Sequence, residues 1–131
     1  MTARRPEATK AEFTLLKALW RLKQATVAEV KAACAGSDGR EPAYSTVTTL
    51  LGRLEAKQLV RVDKARQPFV YKPKHKEASV LRSRLRDFLD NVFEGDASAL
   101  VLQLVQAEAL SKAELKGIEA KIAAREAGER S

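Results

Sequence analysis

Residues 44–73 pass from an amphipathic helix straight into two short strands joined by a basic turn, an order that few folds accommodate. In YSTVTTLLGRL (44–54), Val47, Leu50, Leu51 and Leu54 recur at helical spacing on one stripe. Leu59–Asp63 and Phe69–Tyr71 then read as strands, with Lys64-Ala-Arg66-Gln-Pro68 turning between them. Two helices are expected upstream, each opened by a capping box in which a hydroxyl and a carboxylate satisfy free amides reciprocally. Thr9-Lys-Ala-Glu12 opens the first, to about Lys23, with Phe13, Leu16 and Trp20 inward and Leu15, Leu19 and Leu22 widening the stripe. Thr26-Val-Ala-Glu29 opens the second, to about Ala35, turning Val27, Val30 and Cys34 inward, with Gly36 suited to stop it. Pro42, after the loop GSDGREP, falls at or just before the first turn of the third helix, where proline is tolerated. Helix, helix, helix, strand, strand describes a winged helix-turn-helix, expected over residues 1–74.

The third helix has an unusual outer face: Ser45, Thr48, Thr49, Gly52 and Arg53. Serine, threonine and glycine all cost helix stability, so a face kept merely for solubility would carry Glu, Lys or Gln. Small hydrogen-bonding groups beside an arginine suit a helix that enters a groove and meets phosphates and base edges. Tyr44 and Tyr71 are expected to be packed or half-buried rather than base-reading. Charge distribution points the same way. Residues 1–75 hold 15 Lys/Arg against 7 Asp/Glu, whereas residues 76–131 hold 9 against 10. One half is built to meet a polyanion and the other for something else. The cations are dispersed through alternating elements rather than gathered on one amphipathic helix, which disfavours a membrane surface.

From about His75 the composition changes. Val80, Leu81, Leu85, Phe88, Leu89, Val92 and Phe93 form one helical stripe ending near Gly95. Ser98–Ala109, containing Leu100, Val101, Leu102, Leu104 and Val105, is apolar on nearly every side, and such a helix requires cover. A last helix follows a third capping box, Ser111-Lys-Ala-Glu114, with a thinner stripe of Leu115, Ile118 and Ile122. Three helices this short cannot enclose so apolar a segment within themselves. Residues 75–131 are therefore expected to form a helical dimerisation domain with a frayed C-terminal tail, the partner being a second copy held through residues 76–124. The alternative is that these helices fold back on the N-terminal part of their own chain.

Enzymatic chemistry finds no support. One histidine, His75, and one cysteine, Cys34, make no metal-ligand spacing. There is no glycine-rich phosphate loop and no nucleophile elbow, and Asp87 and Asp90 read as solvated. No catalytic residue, metal or cofactor is expected. A lone cysteine fits a reducing compartment, and neither an apolar signal core in MTARRPEATK nor a run long enough to span a bilayer is present. A cytoplasmic protein without membrane insertion is expected.

Several of these segments together resemble the penicillinase-repressor family (BlaI/MecI/CopY-type). The likeness runs from residue 9 to about 123. It rests on Glu12…Leu15-Leu16…Leu19-Trp20, on Ser45-Thr46-Val47-x-Thr49-Leu50-Leu51-x-Arg53-Leu54 and on Arg66…Phe69-Val70-Tyr71-Lys72-Pro73. Phe93-Glu94-Gly95-Asp96…Leu100-Val101 and Leu110-Ser111-x-x-Glu114-Leu115 extend it. The resemblance implies a transcriptional repressor with an N-terminal winged helix and a C-terminal dimerisation domain. It implies that Ser45, Thr46, Thr48 and Thr49 face the major groove of double-stranded operator DNA, while Arg53, Lys64 and Arg66 hold phosphates. Thr46 lies nearer the edge of the polar face. In the antibiotic-responsive branch, a membrane sensor with a protease domain leads to cleavage within the apolar C-terminal helix. Gln103-Leu104 here stand where such members carry an asparagine–phenylalanine bond. The C-terminal AKIAAREAGERS lacks the paired cysteines of the copper-responsive branch, which excludes copper sensing by that route.

The expected function is thus sequence-specific repression by a homodimer on a palindromic operator, with release by proteolysis in the C-terminal domain. Two other readings differ by testable features. A ligand-responsive winged-helix regulator needs a polar or aromatic pocket among its C-terminal helices. A winged-helix protein-interaction module would carry an apolar exposed patch on its third helix.

Overall fold

The computed structural model describes residues 7–130, so the first part of the N-terminal stretch read for a signal core, and Ser131, lie outside the described residues. The elements are α1 (Lys10–Leu22), α2 (Val27–Ala33), α3 (Tyr44–Ala56), β1 (Val60–Asp63), β2 (Val70–Pro73), α4 (Glu77–Val92), α5 (Ala97–Gln106) and α6 (Lys112–Arg130). The architecture is mainly helical, a winged helix followed by three helices. The chain divides into two compact units, with the break between Leu81 and Arg82.

In the first unit, α1 and α2 begin at the capping boxes: Thr9 and Thr26 each accept from the N3 amide, and Glu12 and Glu29 reach back to the cap amides. Leu15, Leu16 and Leu19 of α1, Val27 and Val30 of α2, Val47, Leu50, Leu51 and Leu54 of α3 and Val60 of β1 are buried together. Leu22, expected at the edge of the α1 stripe, is exposed. Phe13 and Trp20 meet edge to face at 5.7 Å against this core, and the Trp20 indole N–H donates to the His75 carbonyl at 2.9 Å. The chain leaving the wing is thereby pinned to α1. α2 stops sooner than expected: Cys34 is its C-cap, and Gly36 instead closes the following turn, its N–H donating to the Arg40 carbonyl.

β1 and β2 pair antiparallel, Val60 opposite Pro73, Arg61 opposite Lys72, Val62 opposite Tyr71 and Asp63 opposite Val70. The other edge of β2 is closed by Ala25, which exchanges backbone hydrogen bonds with Tyr71 at 2.9 and 2.7 Å. The wing is thus stitched to the α1–α2 turn, leaving its edge less open to pairing with another chain.

In the second unit, the Gly95 N–H reaches back to the Leu89 carbonyl, ending the α4 stretch, and Asp96 caps α5 by accepting from Ala99. Ser111 and Glu114 complete the third capping box before α6. α5 contains no buried residue. Of the apolar residues assigned to dimerisation, only Leu89 is buried; Phe93, Leu100 and Leu115 are half-buried, and Leu81, Leu85, Phe88, Val92, Val101, Leu104, Val105, Ile118 and Ile122 are exposed in the single chain. Among the described residues no helix is long and apolar enough to cross a membrane.

Candidate nucleic-acid interface

α3 is held by its apolar back. Val47, Leu50, Leu51 and Leu54 are buried against α1 and α2, which turns the other face outward. Ser45, Thr46, Thr49, Gly52 and Arg53 are exposed and Thr48 is half-buried. Thr46, placed nearer the edge by helical spacing, is exposed, as Ser45 and Thr49 are. The Thr48 hydroxyl donates to the Ser45 carbonyl at 2.9 Å, so its proton is engaged within the helix while its oxygen remains able to accept. Gly52 is at a helix-interior position where an added Cβ meets nothing within 4 Å, so packing within the chain does not require it. Tyr44 departs from expectation: the residue is 56% exposed, because the first position of α3 lies beyond the buried stripe.

The start of α3 is electrostatically distinct. α1, α2 and α6 carry Glu12, Glu29 and Glu114 in their first turns, each carboxylate accepting from a cap amide. α3 has no acidic residue there, and its N-cap, Ala43, makes no side-chain bond. The positive end of its dipole is left unneutralised, a setting that favours an anion.

The wing loop adds cations. Asp63 accepts from the Ala65 N–H at 3.1 Å, shaping the start of a turn on which Lys64, Arg66, Gln67 and Pro68 are all exposed. Arg61 and Lys72, not singled out by the sequence reading, face each other across the strands and are also exposed. Like charges directly opposite destabilise a strand pair. Strand alternation about the turn was the signal that could have found them, once the register was known.

Beneath this surface lies one buried ion pair. Glu12, 1% exposed, accepts from the Lys57 ammonium at 2.6 Å and from the Thr9 N–H at 3.1 Å; Lys57 also donates to the Glu7 carbonyl. Burial pushes the Glu12 carboxyl up, but the Lys57 and Thr9 hydrogen bonds and the charges of Lys57 and Arg53 outweigh it and hold the group below its ordinary 4.5. The pair ties the start of α1 to the end of α3, fixing the helix whose outer face carries the hydroxyls.

Two shallow grooves flank the wing, the first between it, α2 and α3, the second between it and the start of α2. One, of about 380 Å³, is lined by Thr26, Val27, Tyr44, Thr48, Phe69 and Tyr71 among others. The second, of about 300 Å³, includes Gln24, Glu29 and Arg66 and shares Thr26, Gln67 and Pro68 with the first. The Tyr71 hydroxyl titrates above its usual range, chiefly through burial and secondarily through Glu55 and Tyr44.

A chain called penicillinase repressor from Staphylococcus aureus is 24% identical over 116 residues, covering 88% of this chain and 90% of its own length. Another of the same name, from Bacillus licheniformis, is 26% identical over 110 residues, covering 84% of each. The family model described as penicillinase repressor matches residues 8–124, nearly the whole of both units, and the chain belongs to that family.

Proposed function

We propose that the protein is a sequence-specific DNA-binding transcriptional repressor that acts as a homodimer on a palindromic operator in the cytoplasm. The observation that carries this is the outer face of α3: hydroxyls, a helix-interior glycine and an arginine on a helix whose apolar side is fully used within the fold. Ser45, Thr46, Thr48 and Thr49 contact base edges, while Arg53 on α3 and Lys64 and Arg66 on the wing contact phosphates. Residues 1–74 form the DNA-binding domain and residues 75–131 the dimerisation domain. The exposed apolar side chains of α4, α5 and α6 supply the dimer surface, from Leu81 to Ile122. One winged helix offers few contacts; a tethered second one binds its half-site at high effective concentration, worth about 10²–10⁴-fold.

Release follows from separating the two copies. Gln103 and Leu104 lie exposed within α5, a helix with little packing to resist local opening. Cleavage there, by a protease under the control of a membrane sensor, is the proposed route. It removes the effective-concentration gain without altering α3.

A gel-shift titration with operator and random duplexes at several salt concentrations tests the DNA contacts. Affinity should fall steeply with salt. Thr49→Ala should narrow the preference for operator by about 1–3 kcal/mol, whereas Arg66→Ala should weaken both duplexes about equally. Operator affinity indifferent to salt would sink the phosphate contacts.

A further inference from the structure

Two large aromatic side chains, one opening α3 and one on the wing, are exposed. Tyr44, the first residue of α3, is 56% exposed, and Phe69, at the end of the wing loop, is 37% exposed. They share the groove of about 380 Å³, whose lining is otherwise Val27, Ala28, Pro68 and Tyr71 with Thr26, Thr48 and Gln67 at its polar margin. This apolar groove reaches Thr48 of α3 and shares Thr26, Gln67 and Pro68 with the groove that Arg66 lines. A polyanion drawn to Arg66 and the unneutralised start of α3 therefore brings its own apolar groups over the groove. In duplex DNA the apolar group that projects into the major groove is the thymine 5-methyl.

We propose that Tyr44 and Phe69 form a receptor for a thymine methyl, adding an apolar specificity contact to the hydroxyl contacts of α3; it rests on the DNA-binding reading above. The N-terminal residues of a recognition helix are those that approach base edges, and Tyr44 occupies that position. The Thr48 hydroxyl at the groove's margin already donates its proton to the Ser45 carbonyl, so an apolar group entering there does not strand that donor.

The experiment uses the full chain and a duplex enriched by that chain from a random library. Each thymine is replaced singly by uracil, which deletes only the methyl, and the titrations are repeated with Tyr44→Ala and Tyr44→Phe. At one position per half-site, uracil should weaken wild-type binding about fourfold, the effect of one buried methyl-sized group. Tyr44→Ala should lose that dependence while keeping the same thermal melting, and Tyr44→Phe should retain it. Binding by the wild type that is insensitive to uracil at every position, or sensitivity that persists unchanged in Tyr44→Ala, overturns the methyl receptor and leaves the DNA-binding reading intact. Failure of the library to enrich any duplex overturns both.

Discussion

Leu51 in α3 and Leu104 in α5 sit on helices of similar length, yet the first is fully buried and the second is 39% exposed. The contrast extends to their surroundings. The N-terminal unit places most of its aliphatic residues inside one core and keeps most hydroxyls and cations for the surface. In the C-terminal helices the apolar side chains are largely the surface. Monomeric proteins rarely leave so many large apolar residues open together. One unit has a closed core of its own; the other leaves most of its apolar side chains open. On the proposed function the difference separates selectivity from strength: a self-sufficient unit presents a rigid face, and pairing of the open unit with a second copy sets how many such faces act together.

The comparison breaks most sharply at the cores. Leu51→Ala should cost about 2–5 kcal/mol, because a fully buried leucine leaves a cavity as well as lost burial. That loss should be independent of protein concentration in a urea titration followed by Trp20 fluorescence. A cost below about 1 kcal/mol would mean that the N-terminal core is not the closed cluster described here.

Next in size is the buried pair beneath α3. Lys57→Ala leaves the Glu12 carboxylate without its ammonium, an uncompensated buried charge costing about 3 kcal/mol. The pH dependence has a definite sign. Glu12 is held below 4.5 in the fold, so its ionised form is favoured there. The stability it contributes is complete above its unfolded value and is lost as pH falls through the lowered folded value. Glu29 and Glu114, lowered chiefly by the amides of Thr26 and Ser111, act in the same direction. Glu12→Gln should flatten this acid limb. The deficit of Lys57→Ala should shrink on acidification, since protonating Glu12 removes the stranded charge. Thermal melts between about pH 3 and 7 read both; parallel curves for wild type and Glu12→Gln would contradict the assignment.

In the other unit, Leu104→Asp should scarcely change the melting of the N-terminal core. It should raise the dimer dissociation constant about 30-fold or more, as for loss of a hot-spot contact near 2 kcal/mol. Light scattering at micromolar concentration reads it. A wild-type monomer there, or a variant as dimeric as wild type, would remove α5 from the interface.

The same division explains what could be read in advance. The three helix starts at Thr9, Thr26 and Ser111 were legible because capping boxes are local, and each forms as spelled. The buried stripe of α3 was legible because periodicity is local too. Asp96, which caps α5, carried the same kind of signal and went unread. The Glu12–Lys57 pair joins residues 45 apart, and the Ala25–Tyr71 bridge is a single pair with no alternation to betray it. Helix ends were harder still. The chain turns left-handed at Lys23, Gln58, Glu94 and Glu108, where glycine would have announced the stop. Tyr44 was misjudged because an aromatic is ordinarily assigned to a core, and only the placement of α3 leaves its first residue outside.

The smallest effect separates fold from function at one atom. Gly52 lies inside α3 with no neighbour to clash with a Cβ, so Gly52→Ala should stabilise the N-terminal unit by about 1 kcal/mol. A helix that keeps such a residue on the face of Thr48, Thr49 and Arg53 loses stability for which nothing within the chain compensates. On the proposed function, close approach of the helix backbone to DNA would account for it, since a methyl at that position would hold the two surfaces apart. The alanine variant should therefore melt higher and bind operator more weakly, a pairing that general destabilisation cannot produce. If it melts higher and binds as tightly as wild type, the glycine has no part in the interface, and the contacts of α3 must be drawn closer to its first turn, around Tyr44, Ser45 and Thr48.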